Sequence, residues 1–266
     1  MTIVSMSQPK LYVIGLGVSV PIHITIQASR AISRCSLLYS IVQEPVPLWL
    51  PLESVGKISV VNVLDWYREG DLRTQNYDHV STSILEELGR NQTTGYVTYG
   101  NPMAYDRVAQ NLVRGCKEAG FKVQVVPGVS SIDTVLCDLA VDMAPALQIF
   151  EASWFVAHQI QPRIDMPLLL MQVGAFGSFR THYTKRLTGS SLAELARYLD
   201  LSYPASHPTY LVRSTAQEDE QALVTQATLA NLCQATAEEL SGASLYIPAL
   251  TEAKPNTATI DWMSSR

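Results

Sequence analysis

The sequence predicts an α/β protein of two units, and three observations predict it. Short apolar runs alternate with segments of helical period through the first half; each run closes on glycine or proline; and a second set of strand patterns follows a short connector. The 266 residues sit near the size at which one core stops growing, and 47% apolar against 16% charged residues can bury two modest cores with little left for disorder.

Leu11 to Ile14 is apolar and closes on Gly15-Leu16-Gly17, the pattern of a buried strand entering a tight turn, with a helix from about Thr25 to Ser33 behind it. Leu37 to Val42 and Ile58 to Val63 are the next two strands. Within Tyr77 to Leu88, Val80, Ile84, Leu85 and Leu88 recur at helical spacing, and Gly89 supplies a stop. Gly95 to Tyr99 is then a strand, Tyr105 to Ala119 a helix ended by Gly120, and Lys122 to Val126 a strand ended by Pro127-Gly128. This alternation predicts a mainly parallel sheet. Ser130 and Ser131 can cap a helix running to about Ala140, with Asp133 at the positive end of its dipole.

The expected first domain is 1–145, ending in the connector Met143-Ala144-Pro145-Ala146, and the second is 146–250. The second holds strands at Leu147 to Phe150, Pro167 to Val173, Thr209 to Val212 and Ser244 to Ile247, with a helix from Ser191 to Asp200. Residues 251–266, polar and with a proline, read as a flexible tail.

Composition excludes several functions. A formal charge of -5 and no basic run longer than Lys185-Arg186 leave no footprint for nucleic acid. Cys35, Cys116, Cys137 and Cys233 form no CxxC pair and the histidines are scattered, so neither a metal site nor a disulfide framework is expected. The apolar stretch from Leu11 to Ile26 is interrupted by Gly15, Gly17, Pro21 and His23, which argues against a secretory leader; no other run approaches the roughly 20 apolar residues of a membrane span. The expected location is cytoplasmic, without membrane contact.

Chemistry points to the glycine turns. Glycines after a first strand let a ligand approach the main chain, yet Gly15-Leu16-Gly17 is a weak fingerprint: Val20 stands where a dinucleotide site has its third glycine, and no acid follows the second strand until Glu44. Taken alone it reads as a plain tight turn. Tyr99-Gly100-Asn101-Pro102 and Pro127-Gly128-Val129-Ser130-Ser131 also follow strands and precede helices, and three such turns at strand carboxyl ends favour a shared pocket.

The succession of these turns, followed by a second α/β unit, resembles the tetrapyrrole methylase superfamily, the class III S-adenosylmethionine-dependent methyltransferases, over residues 10 to 250. Within it the chain is most similar to the borosin-type peptide backbone α-N-methyltransferases. The stretches that carry this are Arg73-Thr74-Gln75-Asn76-Tyr77, Asp138-Leu139-Ala140-Val141-Asp142, Phe150-Glu151-Ala152-Ser153 and Leu170-Met171-Gln172-Val173-Gly174, beside the two later turns. The resemblance implies two α/β domains with S-adenosylmethionine bent in the cleft between them, a homodimer, and methylation of backbone amides in a ribosomally made precursor peptide. It places donor contacts on Gly15, Gly100, Met103, Tyr105, Ser130, Ser131 and Gln172, mostly through main-chain atoms, and catalysis on Tyr67, Arg73 and Tyr77.

The chemistry of that last set can be argued independently. An amide nitrogen is a poor nucleophile because its lone pair is delocalised into the carbonyl. It needs a base near the N–H and positive charge near the oxygen. A phenol titrates near ~10, and a neighbouring guanidinium favours the phenolate. Arg73 and Tyr77, four apart at the start of a helix, share a face, and Tyr67 can fold toward them from the preceding loop. Without the resemblance, the same pair reads as ordinary surface residues.

The chain also departs from the family. Asn101 and Met103 stand where borosins usually have the histidine and last glycine of Tyr-Gly-His-Pro-Gly, and Leu64 occupies an aromatic position. Asp106, Asp133 and Glu151 lie near strand ends and read as structural. Because fused relatives carry their substrate as a long apolar C-terminal extension and 251–266 is short and polar, the expected peptide is a separate chain acting in trans. A tetrapyrrole or other small-molecule acceptor, with Arg73 binding a carboxylate, is the alternative; a non-catalytic protein that keeps the fold is a third reading.

Overall fold

A computed structural model describes residues 10–88, 92–182, 189–215 and 220–265. The chain divides into two units. One comprises residues 10–137 with 178–182, 214–215 and 220–222; the other comprises 138–177, 189–213 and 223–265.

In the first unit, β1 (Leu11–Gly15), α1 (Ile26–Ile32), β2 (Leu37–Ser40), α2 (Val46–Trp49), β3 (Ser59–Asn62), α3 (Arg73–Glu87), β4 (Thr94–Thr98), α4 (Arg107–Glu118), β5 (Val123–Val126) and α5 (Ser131–Leu139) follow in order, with α5 running across the division into the second unit. All five strands pair in parallel, in the order β3-β2-β4-β1-β5. β1 is buried on both faces, so its side chains alternate between two cores. Tyr12 and Ile14 pack with Ala28, Ile32 and Trp49, while Leu11 and Val13 pack with Val80, Ile84, Val108 and Leu112. Removing a fully buried leucine or isoleucine from such a core costs about 2–5 kcal/mol.

The expected strands and main helices of this unit are present with ends shifted by one or two residues, except that α3 begins at Arg73, four residues before the periodic stretch. The earlier start follows from Gln75, whose side chain accepts from Leu72 N at 3.0 Å and closes the helix N-terminus. Gly89, the expected stop, lies outside the described residues.

The second unit contains β6 (Gln148–Glu151), α6 (Ala152–Ala157), β7 (Leu168–Met171), α7 (Leu192–Leu199), β8 (Pro208–Arg213), β9 (Leu223–Thr228), α8 (Ala237–Leu240), β10 (Ser244–Ile247) and α9 (Thr257–Ser264). Its sheet has the order β6-β7-β10-β8-β9, with β6 and β7 parallel and the other pairs antiparallel. β9 is absent from the expected strands because Leu-Val-Thr-Gln-Ala-Thr lies half-buried at a sheet edge and is polar enough to pass for a loop. The segment expected as a loose tail carries α9, capped by Asn256 Oδ1 accepting from Thr259 N at 3.1 Å, with every described residue exposed. Among the described residues, no helix is long and apolar enough to cross a membrane.

Asp106, Asp133 and Glu151 all close helix starts: Asp106 Oδ1 accepts from Ala109 N at 2.9 Å, Asp133 Oδ2 from Ser130 N at 2.8 Å and Glu151 Oε2 from Trp154 N at 2.6 Å. Asp106 also accepts from the buried Tyr96 hydroxyl at 3.1 Å. Burial holds the Asp106 carboxyl above its ordinary value, even though these hydrogen bonds favour its charged form. A group raised in the folded state stabilises it below the unfolded pKa and loses that contribution as pH rises through the folded pKa. Asp106→Asn keeps a cap acceptor and removes the titration. Thermal melts across the acid-to-neutral range should show the stability of the variant relative to the parent increasing as pH rises; a gap independent of pH would contradict the buried charge.

Candidate functional site

The neighbouring strands β4, β1 and β5 end side by side, and their three turns touch through main chain. Gly17 N donates to Gly100 O at 3.3 Å and Gly100 N to Gly17 O at 2.9 Å, a two-bond bridge between the first turn and the second. A Cβ on Gly15 would press on Gly100 O and lie 2.8 Å from Gly128 N; one on Gly128 would lie 2.7 Å from Gly17 N. These positions are glycine because another turn's backbone occupies the side-chain space. Gly100 differs. Its φ is +58°, and a Cβ there would meet nothing nearer than Val129 O at 3.9 Å, so its open side can accept a close approach.

Tyr99 anchors the second turn: its hydroxyl donates to Glu44 Oε2 at 2.6 Å and accepts from Gln43 N at 2.7 Å. Burial, with Glu44 beside it, pushes the phenol up. Asn101 Oδ1 accepts from Met103 N at 3.0 Å, which leaves the Met103 side chain exposed, and Tyr105 follows at φ +64°. Ser130 is buried, its Oγ accepting from Ile132 N at 3.2 Å, and Ser131 opens α5. Gln172 lies in the second unit, directly after β7, at φ +60°. Tyr105 and Gln172 are thus two of the four described non-glycine residues with positive φ, a conformation costing of order 1–3 kcal/mol that collects at functional sites.

Tyr67, Arg73 and Tyr77 form a second constellation in the first unit. The Tyr67 and Tyr77 rings meet edge to face, centroids 6.1 Å apart and planes at 69°. Both pack against the core cluster that contains Tyr96. Arg73 opens α3. Its main-chain N–H donates to Phe179 O and its Nη2 to Ser178 O, each at 2.7 Å.

The structure therefore places Gly15 and Gly100 in one turn cluster, with Ser130 and Ser131 just beyond Gly128, and brings the rings of Tyr67 and Tyr77 together beside the start of the helix that bears Arg73. Gly17 and Gly128 lie in the glycine turns but were not among the expected contacts, and Asn76 lies between Arg73 and Tyr77. The segment 178–182 carries no local pattern that would have revealed it.

The profile of the Tetrapyrrole (Corrin/Porphyrin) Methylases matches residues 10–233. The chain belongs to that family. It is 26% identical over 212 residues to the methyltransferase/ribosomally synthesized cyclic peptide lentinulin A precursor of Lentinula edodes, covering 79% of this chain and 50% of that protein. It is 24% identical over 241 residues to the corresponding omphalotin A precursor of Omphalotus olearius, covering 90% of this chain and 57% of that protein. The chain thus spans about half the length of the curated relatives it matches. Among solved structures, the methyltransferase CobJ aligns with a TM-score of 0.65 at 12% identity over 94% of this chain and 98% of that one. Uroporphyrin-III C-methyl transferase from Thermus thermophilus, complexed with S-adenyl homocysteine, aligns with a TM-score of 0.57 at 17% identity over 90% and 91%. These likenesses show the fold.

Gly128→Ala should destabilise the protein by about 1–3 kcal/mol, the usual cost of overpacking, and weaken S-adenosylhomocysteine binding by calorimetry. Gly120→Ala, at φ +71° with no neighbour within 4 Å, should lose stability only. Equal ligand affinity in both variants would remove the turn cluster from ligand binding.

Proposed function

We propose that this chain is an S-adenosylmethionine-dependent methyltransferase that methylates backbone amide nitrogens of a ribosomally made peptide, supplied as a separate chain. The observation that carries the reading is the Tyr67–Tyr77 ring pair beside the start of a helix whose first residue is an anchored arginine. The relatives' names, which join methyltransferase and peptide precursor in one protein, support the acceptor class.

The residues fit the donor. Gly100 leaves main chain open to close approach, and Gly15, Met103, Tyr105, Ser130, Ser131 and Gln172 complete the proposed contacts. When bound, the donor supplies a methyl group already activated on a sulfonium. What remains for the protein is to make an amide nitrogen nucleophilic. One phenolate of the Tyr67–Tyr77 pair would take the amide proton as the N–CH3 bond forms and the sulfonium's S–CH3 bond breaks, with S-adenosylhomocysteine as the leaving group. The Arg73 guanidinium gives one N–H to Ser178 O, and its fork retains donors for the amide oxygen, where negative charge grows. Both effects act mainly in the transition state, so they lower the barrier with little change in donor binding.

The proposed working form is a cytoplasmic homodimer. Ile26, Leu48, Leu52 and Val55, on α1, α2 and the turn after it, are exposed apolar side chains, 87% so at Leu52, that a partner subunit would cover. Light scattering at low micromolar concentration should give a dimer; a monomer overturns that part.

Tyr67→Phe and Tyr77→Phe delete only a hydroxyl. At least one should lose ~10²-fold or more in single-turnover rate with donor affinity unchanged. Arg73→Lys should not restore activity, since an ammonium lacks the planar fork. With a precursor peptide and a porphyrinoid offered in parallel, mass spectrometry should place the methyl on a peptide amide. Methylation of the porphyrinoid alone, or near-parent rates in all three variants, would overturn the reading.

A further inference from the structure

Asn76 sits in the first turns of α3 between Arg73 and Tyr77, and it is almost wholly buried. Asparagine is a poor helix residue, and burying its amide is costly unless every polar atom is partnered. Here the side chain is fully used. Oδ1 accepts from Arg68 N at 2.9 Å, while Nδ2 donates to Arg68 O at 3.0 Å and to Thr181 Oγ1 at 2.8 Å.

These three bonds fasten two separate pieces of chain. The first is the turn before α3: Asn76 holds both main-chain groups of Arg68, the residue that follows Tyr67. The second is the segment 178–182, which pairs along residues 69–73 as a strap. Gly70 N donates to Thr181 O and Thr181 N to Asp71 O, each at 2.9 Å; Arg180 Nη1 donates to Gly70 O at 2.7 Å. The same strap supplies Phe179 O and Ser178 O to the main chain and guanidinium of Arg73. One buried amide thus connects the chain beside Tyr67 to the strap that grips Arg73.

We propose that Asn76 is a positioning residue for methyl transfer, which fixes the Tyr67 turn and the Arg73 strap in one geometry. This rests on the reading above, in which Tyr67 and Arg73 act on the acceptor amide. A base and a charge donor must meet the two ends of one amide together, and a displacement of about 1 Å can cost ~10²-fold in rate. Only an amide serves at this position. A carboxylate would accept from Arg68 N but face Arg68 O with no proton to give, and could meet Thr181 only by accepting from its hydroxyl.

The test uses the full chain with Asn76→Asp, Thr181→Val and Thr181→Ser, beside Tyr67→Phe and Tyr77→Phe. Three quantities are read: S-adenosylhomocysteine affinity, single-turnover rate with whichever acceptor the parent methylates, and hydrogen exchange over 67–73 and 178–182. Asn76→Asp and Thr181→Val should exchange faster in these segments and lose about 10-fold to 10²-fold in rate, with ligand affinity kept within about two-fold. Thr181→Ser, which retains the hydroxyl, should restore both exchange and rate. If Asn76→Asp does not fold, Thr181→Val decides. Faster exchange with parent turnover would make Asn76 merely structural and overturn the inference; so would lost turnover with parent exchange. If the two phenylalanine variants also turn over normally, the failure lies in the catalytic reading instead.

Discussion

The first unit depends on main chain meeting main chain where β4, β1 and β5 end. In the order β3-β2-β4-β1-β5, the connection leaving β1 must pass β4 to reach β2, and the connection leaving β4 must pass β1 to reach β5. The two exits leave adjacent strands in opposite directions and meet at the Gly17–Gly100 bridge, with the third turn packed against them at Gly128. The Cβ positions at Gly15 and Gly128 are filled by another turn's backbone, so the packing of the turns alone calls for glycine at both. The exception is Gly100, whose positive φ leaves an open side. The packing of the turns thus accounts for Gly15 and Gly128 but not for Gly100.

That distinction explains how much of the site was legible. The glycine turns announce themselves because Gly and Pro punctuate a sequence, and the parallel sheet because buried strands are continuous apolar runs: Leu11 to Ile14 cannot pass for a loop. Order and spacing of the turns then carried the family. What local pattern could not give was the glycines' purpose, since Gly15 reads alike whether it faces a ligand or Gly128. β9 was lost for the converse reason, because an edge strand half in water need not look apolar.

The strap was illegible in a stronger sense. Residues 178–182 touch 69–73 across a separation of more than a hundred positions, through main-chain atoms that every sequence possesses. Asn76 was visible as a letter in Arg-Thr-Gln-Asn-Tyr and mute as a signal, for an asparagine in a helical stretch ordinarily faces water. Only its burial, with all of its side-chain polar atoms bonded, separates it from that default. A linear division at residue 145 likewise had no means of assigning 178–182 to the first unit.

Two kinds of rigidity then support the site. At the turns of the first unit it is steric: glycines pack without side chains, and Tyr105 is held at positive φ, where an L-residue stays only if its surroundings fix it. At the start of α3 it is polar: a buried amide holds two segments by hydrogen bonds whose donors and acceptors must all match. The difference suits the two tasks of the proposed function. Holding a preactivated methyl donor needs a shaped surface, for which main chain suffices. Activating an amide needs a base and a positive charge at set places, and side chains as long as tyrosine and arginine keep such places only when the backbone beneath them is tied. On the proposed function, the burial of Asn76 answers the same demand that calls for Tyr67 and Arg73.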